Sequence, residues 1–227
     1  MRQVYVIGRD RLPEEFILRE GESLELSLAV LPGVSCEERL KVDLTSPGAS
    51  ADIRGLYLCF GDERVRIDVD LKHSSGGCTS RQLFKGLVGG SAHASFHGRI
   101  LVLRDAQKTK AYQENHTILL STGAVCESRP QLEIYADDVE CSHGATTGYL
   151  DPEALFYMRS RGIPEAEARR LQMVSFISPV LEGLPEALQE EVLRGLDGEL
   201  FMGGSAGAGF AAESGLPSGV DSKDAER

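Results

Sequence analysis

From Val65 to Lys72 the chain reads VRIDVDLK, eight residues in which apolar and polar side chains alternate without a break. That period places every apolar side chain on one face of an extended segment and every polar one on the other, which is a strand with one buried face. Leu24, Leu26, Leu28 and Val30 repeat the pattern against Glu25, Ser27 and Ala29, and Leu132, Ile134 and Ala136 repeat it against Glu133 and Tyr135. Turn formers separate such runs: Pro32-Gly33, Ser46-Pro47-Gly48, Ser74-Ser75-Gly76-Gly77 and Gly89-Gly90-Ser91. No helical period stands out before about residue 150.

A succession of short strands can close as a sandwich, a barrel or a solenoid of stacked coils. The turns in this region lack the Asn-Gly and Asp-Gly pairs of tight hairpins, whereas parallel coils need corners rather than reversals. Aromatic residues make up 6% of the chain and tryptophan is absent, which fits small aliphatic side chains stacked in a narrow interior. These features favour the solenoid, although no strict hexapeptide repeat is present.

From Leu150 the texture changes. Asp151-Pro152-Glu153 starts a helix, with a capping carboxylate, a proline in the first turn and an acid at the positive end of the dipole. Leu155, Phe156 and Met158 follow, and Gly162 stops it after Arg159 and Arg161. Pro164-Glu165 opens a second helix with Ala168, Leu171 and Val174, which Pro179 is expected to kink or end. Pro185-Glu186 opens a third, with Leu188, Val192 and Leu196 on one face. The division predicted is a parallel β-helix core over 1–150, a helical segment over 151–200 and a disordered tail rich in Gly, Ala and Ser over 203–227.

At 227 residues with 41% hydrophobic content, the chain can bury one sizeable core. No run approaches the length of a membrane span, and the first residues lack the basic flank and apolar core of a secretory signal, so a cytoplasmic location is expected and no membrane association. A net charge of −11, from 35 acidic and 24 basic residues, disfavours nucleic acid and anionic membrane surfaces. Cys36, Cys59, Cys78, Cys126 and Cys141 are odd in number and form no C-x-x-C pair, which predicts free thiols.

Chemistry concentrates in residues 133–148, EIYADDVECSHGATTG. Cys141 and His143 lie two apart, hence on one face of a strand, and can approach one metal or cluster edge together. They supply two ligands of the four such a site commonly takes, so the rest would come from another chain or from small thiols. The alternative is that Cys141 packs as a small hydrophobe and His143 hydrogen-bonds at a turn. Asp137 and Asp138 could serve a carbohydrate-acting β-helix enzyme, but adjacent strand residues face opposite ways, so a corner is the better reading. Gly144 and Gly148 are expected at turns of positive φ. Cys59 has no basic neighbour to stabilise a thiolate, whereas Arg81 near Cys78 and Arg129 near Cys126 leave those two more open as sulfur carriers. GLVGGS over 86–91 lacks the Lys-Ser/Thr of a phosphate-cradling loop, so ATP hydrolysis would reside in a partner and the chain is expected not to be an enzyme.

The segments SRQLFKG, FHGRI, AQKTKAYQ, RPQLEIYADDVECSHGATTG and DPEALFYMRSRGI resemble the SufB/SufD family of iron–sulfur cluster assembly proteins, and its SufD branch in particular. The resemblance is strong over residues 80–163 and weaker from about residue 17. It implies a right-handed parallel β-helix followed by a small C-terminal helical segment. It also implies a scaffold subunit that pairs with a SufB-like subunit, binds a SufC-like ATPase through its helices, and shares a transient iron–sulfur cluster destined for apoprotein acceptors. Pairing with a second copy is an alternative, as is a self-associating structural β-helix. The residue matching His143 is implied to lie at the subunit interface beside a SufB cysteine, with Cys141 as its neighbour. Leu155, Phe156, Tyr157, Arg159 and Arg161 fall in the stretch matching the ATPase-binding region. Among these, Leu155 and Phe156 are expected in the core, with Tyr157 and Arg161 reaching the partner. The family commonly has a helical region before its solenoid, whereas this chain begins almost directly on strands, so any role of that region is expected to be absent or supplied elsewhere. His93, His97 and His116 stand where other residues are expected, and no role is carried over to them.

Overall fold

The computed structural model describes residues 1–203. The tail expected at the C-terminus lies, from residue 204 onward, outside the described residues. Eleven strands follow one another: β1 (Arg2–Val6), β2 (Phe16–Leu18), β3 (Ser23–Val30), β4 (Cys36–Leu44), β5 (Ser50–Cys59), β6 (Arg64–His73), β7 (Thr79–Val88), β8 (His93–Val102), β9 (Thr109–Leu119), β10 (Val125–Ile134) and β11 (Val139–Tyr149). Odd strands form one sheet, β1-β3-β5-β7-β9-β11, and even strands the other, β10-β8-β6-β4-β2. Every pairing in both sheets is parallel. The chain therefore winds as a β-solenoid with two strands per coil, as the alternation and the absence of hairpin turns led us to expect.

The corners repeat as strictly as the strands. Ser23, Ser50, Thr79 and Lys110 stand in register on successive coils. Two residues before each comes a left-handed position, occupied in turn by Gly21 (φ 69°), Gly48 (φ 74°), Gly77 (φ 68°) and Lys108 (φ 61°). Lys108 is the only residue other than glycine with positive φ among the described residues, and it holds that conformation because its N–H donates to Asp138 O at 2.6 Å. A Cβ in this region is disfavoured, so Lys108→Gly is expected to stabilise the fold by about 0.5–1 kcal/mol after the greater freedom of unfolded glycine is subtracted. Urea unfolding measures it, and an unchanged or lowered midpoint would show that the corner tolerates the side chain without strain.

Inside the coils, space is shared between large rings and missing side chains. A Cβ on Gly55 would fall 2.1 Å from the Phe84 ring, and one on Gly86 would fall 1.9 Å from the Tyr57 ring. Each glycine thus admits an aromatic side chain from the adjacent strand of its sheet. Phe84 in turn packs on Phe96 across the interior, with ring centroids 4.6 Å apart and ring planes tilted by 44°. The Tyr57 hydroxyl is satisfied by Asn115 Oδ1 at 3.1 Å and Thr117 Oγ1 at 2.6 Å, which offsets the cost of burying a polar atom. Glu63 closes a corner in the same way, accepting from the N–H groups of Gly33 and Gly61 at 2.8 and 2.6 Å. Burial pushes its carboxyl up, but the backbone donors outweigh that and hold it below the usual range.

Three helices follow: α1 (Pro152–Ser160), α2 (Glu165–Leu181) and α3 (Glu186–Gly203). Asp151 caps α1 by accepting from Glu153 N at 2.9 Å and Ala154 N at 3.3 Å. The helices cover the outer face of the odd-strand sheet, where Leu56, Leu58 and Leu87 meet Met173, Ile177, Val180, Leu188, Val192 and Leu196. The third helix buries the face expected of it. The second does not: Leu171 is exposed and Val174 only half-buried, and the core side chains are Ala168, Met173, Ile177, Val180 and Leu181. Pro179 sits in the last turn and does not end the helix at once, since Leu181 remains helical. The Ser175 carbonyl, left without a backbone donor by the proline, accepts from Ser178 Oγ at 3.0 Å. The solenoid caps this helix end, with Arg54 Nη1 donating to Pro179 O at 3.2 Å and Arg2 Nη2 to Gly183 O at 2.7 Å.

Candidate functional site

Strands β10 and β11 are the last members of their sheets, so among the described residues the final coil presents its inner side chains without a further coil to cover them. Register identifies which these are. Ala111, Gln113, Asn115 and Thr117 of β9 are all buried and point inward, and they align with Cys141, His143, Ala145 and Thr147 of β11. In the other sheet, buried Ala94, Phe96, Ile100 and Val102 align with Cys126, Ser128, Leu132 and Ile134. His143, Ala145 and Thr147 are exposed although they occupy interior positions, because they form the rim of the open end.

Cys141 and His143 therefore share a face, as their spacing predicts, and that face looks out of the mouth of the solenoid. Their environments differ. Cys141 is half-buried against Ala111, Ala136, Ile100 and Val102, and burial pushes its thiol up, against a smaller lowering by the Ala111 backbone. At neutral pH it packs as a protonated, small hydrophobic group and must give up a proton to ligate. Among the described residues no three His, Cys, Asp or Glu side chains converge as a metal site. The pair offers two donors and leaves the rest of any coordination shell to be filled from outside the chain.

The other cysteines lie elsewhere. Cys59 and Cys78 are fully buried and burial raises both thiols; Cys36 is pushed up to about 11, by burial first and by Glu38 second. Arg81 does not reach Cys78: it lies on the outer face over the Tyr112 ring, 5.8 Å from the centroid. Arg129 pairs with Glu127 at 3.0 Å on the outer face, while Cys126 faces inward and donates to Thr117 Oγ1 at 3.3 Å. Sequence neighbours on a strand are spatial opposites, which removes both arginines as activators.

Two glycine expectations are corrected. Gly144 and Gly148 belong to β11 and neither has positive φ. The strand continues through them to Tyr149, where a turn had been expected. Asp137 and Asp138 do form the corner before β11, with Asp138 N donating to Gln107 Oε1 at 2.9 Å.

On α1 the exposed side chains are aromatic. Phe156 is 74% exposed and Tyr157 60%, while Leu155 is half-buried against the helix–sheet core. Phe156 is thus not a core residue as expected: it stands about 100° round the helix from Leu155, on the side that solvent reaches. The Arg161 guanidinium lies over the Tyr157 ring at 5.4 Å from its centroid, and Arg159 pairs with Glu165 at 3.3 Å.

A carbohydrate-cleaving site would show as a groove with free carboxylates. The outer face of the even-strand sheet carries a shallow groove of about 330 Å3 lined by Arg39, Asp68, Asp70, His97, Arg99 and Arg129. Asp68 is held by Arg66 at 3.0 Å and Asp70 by Arg99 at 2.7 Å, so its carboxylates are engaged in ion pairs. No helix among the described residues is long and apolar enough to cross a membrane.

Comparison with known proteins finds a family described as SUF system FeS cluster assembly, SufBD core domain, matching residues 16–176. Among curated proteins, the chain is similar to the iron–sulfur cluster assembly protein SufD of Escherichia coli (strain K12), with 36% identity over 177 residues, 78% of this chain and 42% of that protein. An iron–sulfur cluster assembly SufBD family protein of Synechocystis is 40% identical over 126 residues, 56% of this chain and 27% of the relative. Protein ABCI7, chloroplastic, of Arabidopsis thaliana is 35% identical over 174 residues, 75% of this chain and 36% of the relative. The chain thus spans less than half the length of these relatives.

Proposed function

The chain belongs to the SufBD core family of the SUF system, on its SufD-like branch, and from that membership we propose that it is a scaffold subunit on which iron–sulfur clusters are assembled between chains. In this reading the cluster is cargo and no bond-making group of this chain is consumed. The observation that supports it most directly is the placement of His143 and Cys141 on the uncovered inner face of the last coil. Two donors at an open rim suit a site completed by a second subunit, here a SufB-like chain or a second copy.

The pairing has a second source of energy. Among the described residues strands β10 and β11 are edges, each with a row of backbone N–H and C=O groups lacking a neighbour in its sheet. Such edges take up a further strand readily and otherwise invite uncontrolled association. The exposed aromatic side chains of α1 serve a separate contact, with a SufC-like ATPase whose hydrolysis drives the assembly.

The test is anaerobic reconstitution with SufB-like and SufC-like subunits. His143→Ala is expected to leave the complex intact by light scattering while visible absorbance from the assembled cluster falls at least tenfold, the scale on which loss of a metal-site group acts. Assembly at the wild-type rate would remove His143 from the site. A chain that stays monomeric and ignores the SufB-like subunit would remove the pairing itself.

A further inference from the structure

Beneath His143 lies a column of amides. Gln82 of β7, Gln113 of β9 and His143 of β11 are successive register partners. The two glutamines are 2% and 1% exposed. Gln113 Nε2 donates to Gln82 Oε1 at 3.0 Å, and the two outer ends of this amide pair, Gln113 Oε1 and Gln82 Nε2, have no hydrogen-bond partner among the described residues. Position 98 on the facing strand is glycine, where a Cβ would come within 2.3 Å of Gln113 Nε2 and 2.7 Å of its Oε1, so the amide is held in a slot shaped for it.

A buried amide oxygen without a donor is unfavourable, and native interiors rarely keep one unless it serves something. The two polar ends of a planar amide diverge. One end is taken by Gln82 on the preceding coil, and the inward side chain in register with Gln113 on the next coil is His143. A ligating histidine almost always donates its other ring N–H to a carboxylate, a carbonyl oxygen or water, which sets the tautomer and the ring plane.

We propose that Gln113 is the positioning residue for His143, its amide oxygen accepting the ring N–H that is turned away from the cargo. The inference rests on the reading of His143 as a donor to the cluster. It adds that the donor nitrogen is selected from inside the solenoid before any partner arrives, and that the polar pair Gln82–Gln113 keeps the selecting amide from rotating.

The experiment reads the imidazole itself. In the full chain with 15N-labelled histidine, at a pH where the ring is neutral, long-range proton–nitrogen correlation should show one dominant tautomer at His143. Gln113→Leu should return the tautomer ratio to that of free histidine, while Gln82→Leu, which keeps the Gln113 amide but frees it to rotate, should weaken the same bias only in part. In the reconstituted complex Gln113→Leu should lower cluster assembly about tenfold with subunit composition unchanged. A His143 pattern that is the same in wild type and Gln113→Leu would overturn the proposal. If Gln113→Leu does not fold, the wild-type spectrum decides, since the free-histidine ratio there overturns it equally. Failure of the parent reading looks different: His143→Ala would assemble clusters normally whatever its ring resonances show.

Discussion

Replacing Phe156 and Tyr157 together by alanine is expected to weaken binding of the proposed ATPase subunit at least a hundredfold, about 2.7 kcal/mol, with the solenoid unaffected. Both rings belong to a helix that buries no residue fully, so the substitutions remove no core packing. Large exposed aromatic side chains side by side are uncommon on a surface that meets only water, and they are the residue type that dominates interfaces. Tyr157 is already ordered by the Arg161 guanidinium above it, which lowers the conformational entropy lost on binding. Arg161→Ala alone should therefore weaken binding by a smaller factor than the double aromatic change. Isothermal calorimetry against the purified ATPase, with circular dichroism to show the fold, measures both. Wild-type affinity in the double variant would move the contact off α1, and it would not move to Leu188 and Val192, which are buried against the sheet.

What could be read from the chain beforehand was local. Alternation over 65–72 and 24–30 identifies strands because one face of each is apolar and the other is not; both are strands, but Ser27 and Ala29 are buried too, since the helices cover the outer face of β3. The start of α1 was legible for a similar reason, since Asp151 and Pro152 act through neighbouring backbone groups. The inner face of β9 was not legible. Its inward positions after Ala111 are Gln113, Asn115 and Thr117, so polar residues line both faces and hydropathy carries no parity. Gln113 was missed on that account, and the only signal that finds it is register with Gln82, which exists once the coils are stacked. Gly144 and Gly148 misled because glycine is read as a turn; a Cβ at either would meet nothing within 4 Å, so neither is required there by sterics. That Cys141 and His143 form the rim, and do not lie beneath another coil, depends on which coil is last. No local pattern encodes that.

The second large effect concerns acid. His73 ends β6 wholly buried, its Nε2 hydrogen-bonded to Ser80 Oγ at 2.9 Å and its Nδ1 without a partner. Burial pushes its pKa down to about 4 from an ordinary 6.5, against a smaller upward pull from Asp43. The folded protein thus refuses a proton that the unfolded chain accepts. Stability from this group is complete above about pH 6.5, declines as the pH falls, and is lost by about pH 4, a change of about 3 kcal/mol. Urea midpoints at pH 7, 5.5 and 4 should fall more steeply for the wild type than for His73→Leu, by that amount over the whole range. Carboxylates titrating in the same window act on both proteins and cancel in the comparison. His73→Leu also leaves the Ser80 hydroxyl without its partner, which lowers stability by about 1 kcal/mol at every pH and so shifts the curve without changing its slope. Parallel curves would mean that His73 takes up its proton at the same pH folded and unfolded, which burial without a second hydrogen-bond partner makes unfavourable. Because each coil contacts only its neighbours, the proton enters at the coil supporting β9, and the acid-weakened region is the one on which Gln113 and His143 stack.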